Sequence, residues 1–326
     1  PGTGKENRSM KKIVAGVAIG LACVLAVGGA ALITKGFKEN PFEKKSELTA
    51  EGFEMADGIE LDIESSALKF TAYMTLETAD RLDDGTVNWG ILVAPEMYFE
   101  QLDTEKTGQV DWVPAFEESE LASMKRAHMA LSVIDDPRDS GEKVCRIEYN
   151  VGTVFQNYNG EFTAIGYIET VTEEGTTYEY ASYPKGETYA TYGRSFSYLA
   201  AEALNRHAAE QVYYTPSNLE TLHGIINGAV DAANGEETET KDGSKFAVTL
   251  SETEKTLKRK ESFTLTAEIS PKAELPILWK SSNPDIAEVQ DGKVMAKKDG
   301  TAVISAYVAG ERYDCTVTVG EPEQAE

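Results

Sequence analysis

Histidine, cysteine and tryptophan each occur only three times in 326 residues, and their scarcity removes whole classes of chemistry. Cys23, Cys145 and Cys315 share no paired spacing, so neither a disulfide framework nor a zinc site follows from them. His128, His207 and His223 form no HxxxH or HExxH pair, and no metal or other cofactor is expected. A G-x-S-x-G elbow is missing too: Gly193-Arg194-Ser195-Phe196-Ser197 lacks the second glycine and reads as a serine-capped helix start. Pro1-Gly2-Thr3-Gly4-Lys5 resembles the tail of a phosphate loop, but Glu6 stands where Ser or Thr must ligate magnesium. Asp80-Arg81-Leu82-Asp83-Asp84-Gly85 lacks the alternating oxygen ligands of a calcium loop. The chain is therefore not expected to be an enzyme.

Basic charge is the next shortage. The chain has 31 Lys and Arg against 55 Asp and Glu, a net charge of −24. Eight of those cations and only three of the acids lie in the first 45 residues, leaving 23 basic and 52 acidic residues beyond. Such a surface repels phosphate backbones, which excludes nucleic acid as an expected partner. The acidity reads as a means to solubility.

Against this polar background, residues 13–33 run IVAGVAIGLACVLAVGGAALI without a charge. As a helix the run spans about 30 Å, the thickness of a bilayer's hydrocarbon core. The expectation is a single-pass signal anchor that follows a basic cytoplasmic N-terminus at residues 1–12 and holds the remaining chain outside the cell membrane. A cleaved signal, giving a secreted protein, is the alternative; the run exceeds the roughly 7–15 apolar residues usual for such signals. Lysines flank both ends equally, so the orientation rests on the rule that long following domains are exported largely regardless of local charge.

Residues 34–57 are polar and read as a spacer. Residues 58–234 read as an α+β module. Period-two or short apolar runs at 60–63, 68–74, 87–95, 130–134, 144–149, 162–171 and 176–182, divided by turn residues, predict a β-sandwich or barrel-like sheet. Two helices close it. The first carries the stripe Phe196, Leu199, Ala200, Ala203, Leu204, His207 and Ala208. The second starts after Pro216, with Ser217-Asn218-Leu219-Glu220 as a capping box, and ends at Asn234-Gly235. Its Gly224 and Gly228 predict close packing against a neighbour. Residues 235–245 contain no apolar side chain and read as a linker. From 246 to 320 the alternation is purely β, with Cys315 on the core face as an inert thiol, and 321–326 form a tail.

Within that last stretch, Val248-Thr249-Leu250-Ser251, Leu278-Trp279-Lys280-Ser281-Ser282-Asn283-Pro284, Ile286-Ala287-Glu288-Val289, Asp291-Gly292-Lys293-Val294 and Gly300-Thr301-Ala302-Val303-Ile304 follow one another in a known order. With Cys315-Thr316-Val317-Thr318-Val319 they resemble a group 2 bacterial immunoglobulin-like domain. The resemblance implies a small β-sandwich serving as spacer or adhesive module at a bacterial surface, with Trp279 as its central core aromatic. Lys258-Arg259-Lys260 departs from it, standing where many members turn on a glycine. The middle region is similar, through Leu68-Lys69-Phe70-Thr71-Ala72, Trp89-Gly90-Ile91-Leu92-Val93-Ala94-Pro95, Phe162-Thr163-Ala164-Ile165-Gly166-Tyr167-Ile168 and Arg194-Ser195-Phe196-Ser197-Tyr198-Leu199-Ala200, to a module of Gram-positive surface proteins. That likeness implies a location and no chemistry.

Tyrosine is the one abundant residue with chemical promise, and eleven of fifteen lie between Tyr149 and Tyr214. Tyr178 and Tyr180 share a strand face, with Tyr183, Tyr189 and Tyr192 in the loops beyond. These five are the candidate ligand-binding residues, because flat rings beside carboxylates stack on pyranose faces. The bland reading is that tyrosine is simply a favoured strand residue. The expected function is adhesion or extracellular recognition of a glycan or another host or cell-wall ligand. A glycan hydrolase with its site in the middle module, and a purely structural envelope spacer, are the rivals.

Overall fold

The computed structural model describes residues 48–82, 86–138, 141–234, 245–271 and 273–320. The apolar run at 13–33, the basic N-terminus, most of the expected spacer, nearly all of the linker and the tail lie outside them. Among the described residues no helix is long and apolar enough to cross a membrane. The fold is mainly β and divides into two compact units. Of the described residues, 48–59, 69–149 and 161–193 make the first, and 60–68, 150–160 and 194–320 the second.

The main sheet is built on β1 (Thr49–Met55), the short β2 (Glu60–Asp62) that pairs with the next strand, β3 (Ala67–Thr75), β4 (Val87–Pro95), β5 (Met124–Ala127), β6 (Ser132–Asp135), β7 (Lys143–Gly152), β8 (Phe162–Thr172) and β9 (Gly175–Ser182). They form one curled sheet in the order β5-β4-β8-β9-β1-β3-β7-β6. β8 runs antiparallel to both β4 and β9, whereas β1 runs parallel to β9. Residues Gly90 to Ala94 of β4 are buried without a break, so the strand reads as a solid apolar run because both of its faces are covered. Gly90 is required by close approach: a Cβ there would stand 1.8 Å from the Arg126 carbonyl oxygen. Gly166 serves β1 similarly, since a Cβ would meet the ring of Phe53 at 2.5 Å.

β1 corrects the reading of residues 34–57 as spacer throughout. Its alternation is hidden by Glu51, Gly52 and Glu54, yet Ala50, Phe53 and Met55 are core residues. Between the strands lie four short helices: α1 (Leu76–Asp80), α2 (Glu96–Leu102), α3 (Trp112–Ser119) and α4 (Tyr189–Tyr192). They are too short for a helical period to show in sequence. Phe99, Trp112, Phe116 and Tyr189 form their common core, with Phe99 lying 4.8 Å from Trp112, 5.0 Å from Phe116 and 5.8 Å from Tyr189 between ring centroids.

The second unit contains α5 (Phe196–Glu210), α6 (Pro216–Asn234) and a sandwich of nine short strands. The helices grouped by sequence with the middle module thus pack in one unit with the sandwich. Ser195 caps α5 by accepting the Tyr198 amide at 3.0 Å. The buried face of α5 is Phe196, Ser197, Ala200, Ala201, Leu204 and Asn205, whereas Ala208 of the expected stripe is exposed. Two polar side chains sit on that face because each has work for its hydrogen bonds. Ser197 donates to Asn159, which in turn donates to the carbonyl of Ala229 on α6.

The start of α6 also differs from expectation. Thr215, not Ser217, is the cap: its hydroxyl accepts the Asn218 amide at 3.2 Å while the Asn218 side chain accepts the Thr215 amide at 3.2 Å. That places Pro216 at the first helical position, where its missing N–H costs nothing. A Cβ at Gly224 would meet nothing within 4 Å, so close packing does not explain that glycine.

The sandwich comprises β10 (Ala247–Leu250), β11 (Glu254–Leu257), β12 (Ser262–Thr264), β13 (Ala267–Ser270), β14 (Ile277–Ser281), β15 (Ala287–Gln290), β16 (Lys293–Ala296), β17 (Gly300–Val308) and β18 (Glu311–Val319). β11-β18-β17-β14 and β12-β16-β15 are its larger sheets, and β10 pairs with β13. Cys315, Val317 and Val319 face the core with Leu265, Val294 and Ile304, as the alternation predicts. Trp279 does not sit at the centre; it is partly buried and packs on the margin of this cluster, beside Gly292. Small side chains such as Ala287, Ala296 and Ala302 leave no room for an indole at the middle.

Helix α5 is fastened to the sandwich by a buried amide. Asn205, 2 % exposed, donates to the Pro276 carbonyl at 2.9 Å and accepts the Gly310 amide at 3.0 Å. Gly310 and Ala309 both have positive φ in the β17–β18 turn, and a Cβ on Gly310 would press on Leu204 at 3.3 Å. Replacing Asn205 with Ala strands one buried donor and one buried acceptor, so chemical denaturation of the Asn205→Ala variant is expected to show a loss of about 3 kcal/mol. A loss below about 0.5 kcal/mol would sink this account of the clamp. Elsewhere the turn that departs from the family pattern carries Lys260 at φ +70. Left-handed backbone costs a side chain about 1–2 kcal/mol, part of which glycine returns as unfolded-state entropy. Lys260→Gly is therefore expected to stabilise the fold by about 0.5–1 kcal/mol in the same assay.

Candidate functional site

A cavity of about 500 Å³ opens in the first unit. It is lined by Ile165 and Ala181 of the sheet together with Val110, Trp112, Tyr180, Tyr183 and Tyr189. Leu48, Thr49, residues 107–109, Ser182, Glu187 and Thr188 complete the lining. Three of the five candidate tyrosines are thus brought together, but around a hollow and not as an open platform.

Each wall is held by a particular bond. Tyr180, only 4 % exposed, donates its hydroxyl to Asp111 at 2.7 Å and accepts the Val113 amide at 2.9 Å, fixing the start of α3 over the sheet. Asp103 ends α2 and accepts the amides of Thr107 at 2.9 Å and Gly108 at 2.7 Å, which shapes the loop at the rim. Tyr183 donates to the Ala164 carbonyl at 2.7 Å. Tyr189 packs edge-on to Trp112, 5.4 Å between centroids. Thr188 caps α4 in a capping box with Thr191.

The other two candidates lie elsewhere. Tyr192 is 1 % exposed and donates to the Gly58 carbonyl at 3.2 Å, so it belongs to the core. Tyr178 is stacked 6.5 Å from Tyr180 but donates to Glu169 at 2.7 Å in a separate polar cluster. There Asn88 donates to the second oxygen of Glu169 at 2.8 Å, and Lys125 lies 3.6 Å from Glu169 and 5.5 Å from the centres of both the Tyr167 and Tyr178 rings. Burial raises the Glu169 carboxyl, but the hydrogen bonds from Tyr178 and Asn88 with the charge of Lys125 outweigh it and leave the group below its ordinary range.

Sequence reasoning missed Asp103, Asp111, Trp112, Gln109 and Glu187. The signal for the first was present: an Asp followed four and five residues on by Thr107 and Gly108 is a loop-organising pattern. Glu187 gave none, being one acid among 55. Its Oε2 is buried with no hydrogen-bond partner among the described residues. The histidines take no part. His207 Nδ1 lies 2.6 Å from the Val212 carbonyl, and no group of His, Cys, Asp and Glu suited to a metal occurs among the described residues.

The second unit's sandwich has the immunoglobulin-like arrangement of two packed sheets around an apolar centre. Residues 246–319 match the family model for the bacterial Ig-like domain (group 2). The match suggests a domain of the bacterial surface-protein type. Among curated proteins nothing matches the chain. The likeness of the middle region to a Gram-positive surface module finds no support in these comparisons.

The environment of the tyrosines has a measurable consequence. Burial, then the neighbouring Asp103, pushes Tyr189 up to about 12. Burial likewise raises Tyr178, Tyr180 and Tyr183, with Glu169 adding to the first and Asp111 to the second. Because the folded values exceed the unfolded value near ~10, the stability these phenols contribute is complete below about pH 10 and is lost as pH rises through the folded values. Near-ultraviolet absorbance titration is expected to show a class of tyrosines that ionises only as the circular dichroism signal collapses. Reversible ionisation of all of them near pH 10 would instead place them on an exposed platform.

Proposed function

We propose that the chain is a membrane-anchored bacterial surface protein that recognises an extracellular glycan in the cavity of its first unit, with the immunoglobulin-like sandwich as a supporting module. The cavity carries the reading. Its volume of about 500 Å³ falls within the range of small-ligand sites, and its lining joins four aromatic rings to a few polar groups at the rim. Rings of this kind cover the apolar faces of a sugar, while Gln109, Thr188 and Glu187 are placed to meet its hydroxyls. Anchoring rests on the uncharged run at residues 13–33, and the surface location is supported by the family match of residues 246–319.

The reading is non-enzymatic. Glu187 is the one carboxylate among the described lining residues, whereas hydrolysis by the common route uses two acids flanking the scissile bond. The test joins location and binding. Cells expressing the full chain are applied to a glycan array, before and after shaving with external protease. Binding that shaving abolishes is expected. Gln109→Trp, which fills the rim from an exposed position, is expected to weaken binding at least about tenfold, while Tyr213→Ala, at a tyrosine that is 80 % exposed and not among the lining residues, leaves it intact. No binding to any glycan would defeat the proposal, and release of cleaved sugar would replace it with the hydrolase.

A further inference from the structure

The unpartnered oxygen of Glu187 narrows the class of ligand. Glu187 closes the turn that follows Pro184, where its amide donates to the Pro184 carbonyl at 2.9 Å, so the backbone sets its position. Glu187 is a partly buried residue that lines the cavity, and one of its two carboxylate oxygens, Oε2, has no hydrogen-bond partner among the described residues. A buried acceptor left unpaired is costly, more so when it belongs to a carboxylate. No Lys, Arg or His is among the described lining residues. Trp112, Tyr180, Tyr183 and Tyr189 surround the same space, and the carboxylates of Asp103 and Asp111 stand behind the rim loop and Tyr180. Ring faces and acids both favour positive charge, and nothing in the lining supplies it.

We propose that the cavity takes a saccharide bearing a free ammonium group, an amino-sugar unit without its N-acetyl, with Glu187 as counter-charge and the aromatic rings against the pyranose. This rests on the glycan reading of the cavity and adds the charge of the ligand. A neutral hydroxyl satisfies the hydrogen bond but not the field of the site, and uronic or phosphorylated sugars meet repulsion. The ammonium of a lysine side chain shares the charge but offers no flat ring for the aromatic walls.

Calorimetric titration of the full chain with a glucosamine tetramer, its N-acetylated counterpart and a lysine-containing peptide tests the point. The glucosamine tetramer is expected to bind about tenfold or more tighter than the N-acetylated form, with a preference that falls as salt rises. Glu187→Gln is expected to erase that preference and keep the residual affinity for the neutral sugar. The wild-type comparison decides the matter even should the variant fold poorly. Equal or tighter binding of the N-acetylated tetramer, blocked by Gln109→Trp, overturns the charge assignment and leaves the glycan reading standing. Equal or tighter binding of the peptide overturns the assignment in favour of an amine without a sugar. Silence from the glucosamine tetramer while any other glycan binds on the array overturns the amino-sugar assignment and leaves the glycan reading standing, whereas silence on the whole array removes both.

Discussion

The phenol of Tyr180 donates to Asp111 and receives the amide of Val113, and through these two bonds the start of α3 is held above the sheet. Both partners are forced by burial. A tyrosine this deeply enclosed must find an acceptor for its proton, and the first amides of a helix have no intrahelical acceptor of their own. One hydroxyl answers both needs. The consequence reaches beyond local stability, because Val110 and Trp112 flank Asp111 and form one wall of the cavity. The Asp103 bonds to Thr107 and Gly108 shape the loop itself, so the polar tie from this segment to β9 is the Tyr180 contact, beside the packing of Trp112.

The aromatic cluster of Phe99, Trp112, Phe116 and Tyr189 then makes the arrangement rigid. Its members come from three helices of four to eight residues, none long enough to be stable alone. Each ring pair contributes on the order of 0.5–1.5 kcal/mol beyond the area it buries. The helices thus exist because the rings pack, and the rings pack because β8 and β9 present a floor for them. Tyr189 belongs to both the cluster and the cavity lining, so whatever fills the cavity touches a residue whose position is already fixed.

How much of this was legible depended on whether a period could express itself. β4, Val87–Pro95, was read at its true bounds because a short apolar run, interrupted at Asn88 and Gly90 and stopped by a proline, has few alternatives. α5 and α6 were legible as long amphipathic segments. β1 was not, since Gly52 and two glutamates break its pattern, and its right to a place beside β8 lies in Gly166, over a hundred residues away. The cap of α6 was misplaced by two residues because Thr215 and Ser217 are both good caps, and only the position of Pro216 separates them. The five tyrosines were found by abundance, which says nothing of the direction a ring faces; three line the cavity, one joins the Glu169 cluster and one fills the core.

The two units differ in how completely their polar groups are satisfied. In the sandwich the centre is apolar, and the buried amide of Asn205 at its helical flank uses both ends. Among the described residues of the second unit no buried side-chain nitrogen or oxygen lacks a partner. In the first unit the Tyr167 hydroxyl, Thr163 Oγ1 and Glu187 Oε2 are buried and unpaired among the described residues. Gly90 faces the Tyr167 hydroxyl and explains that case as a close approach of strands, since a Cβ there would lie 2.8 Å from it. Glu187 has no such explanation in the packing. Of these unmatched groups, Glu187 is the one that belongs to a residue lining the cavity.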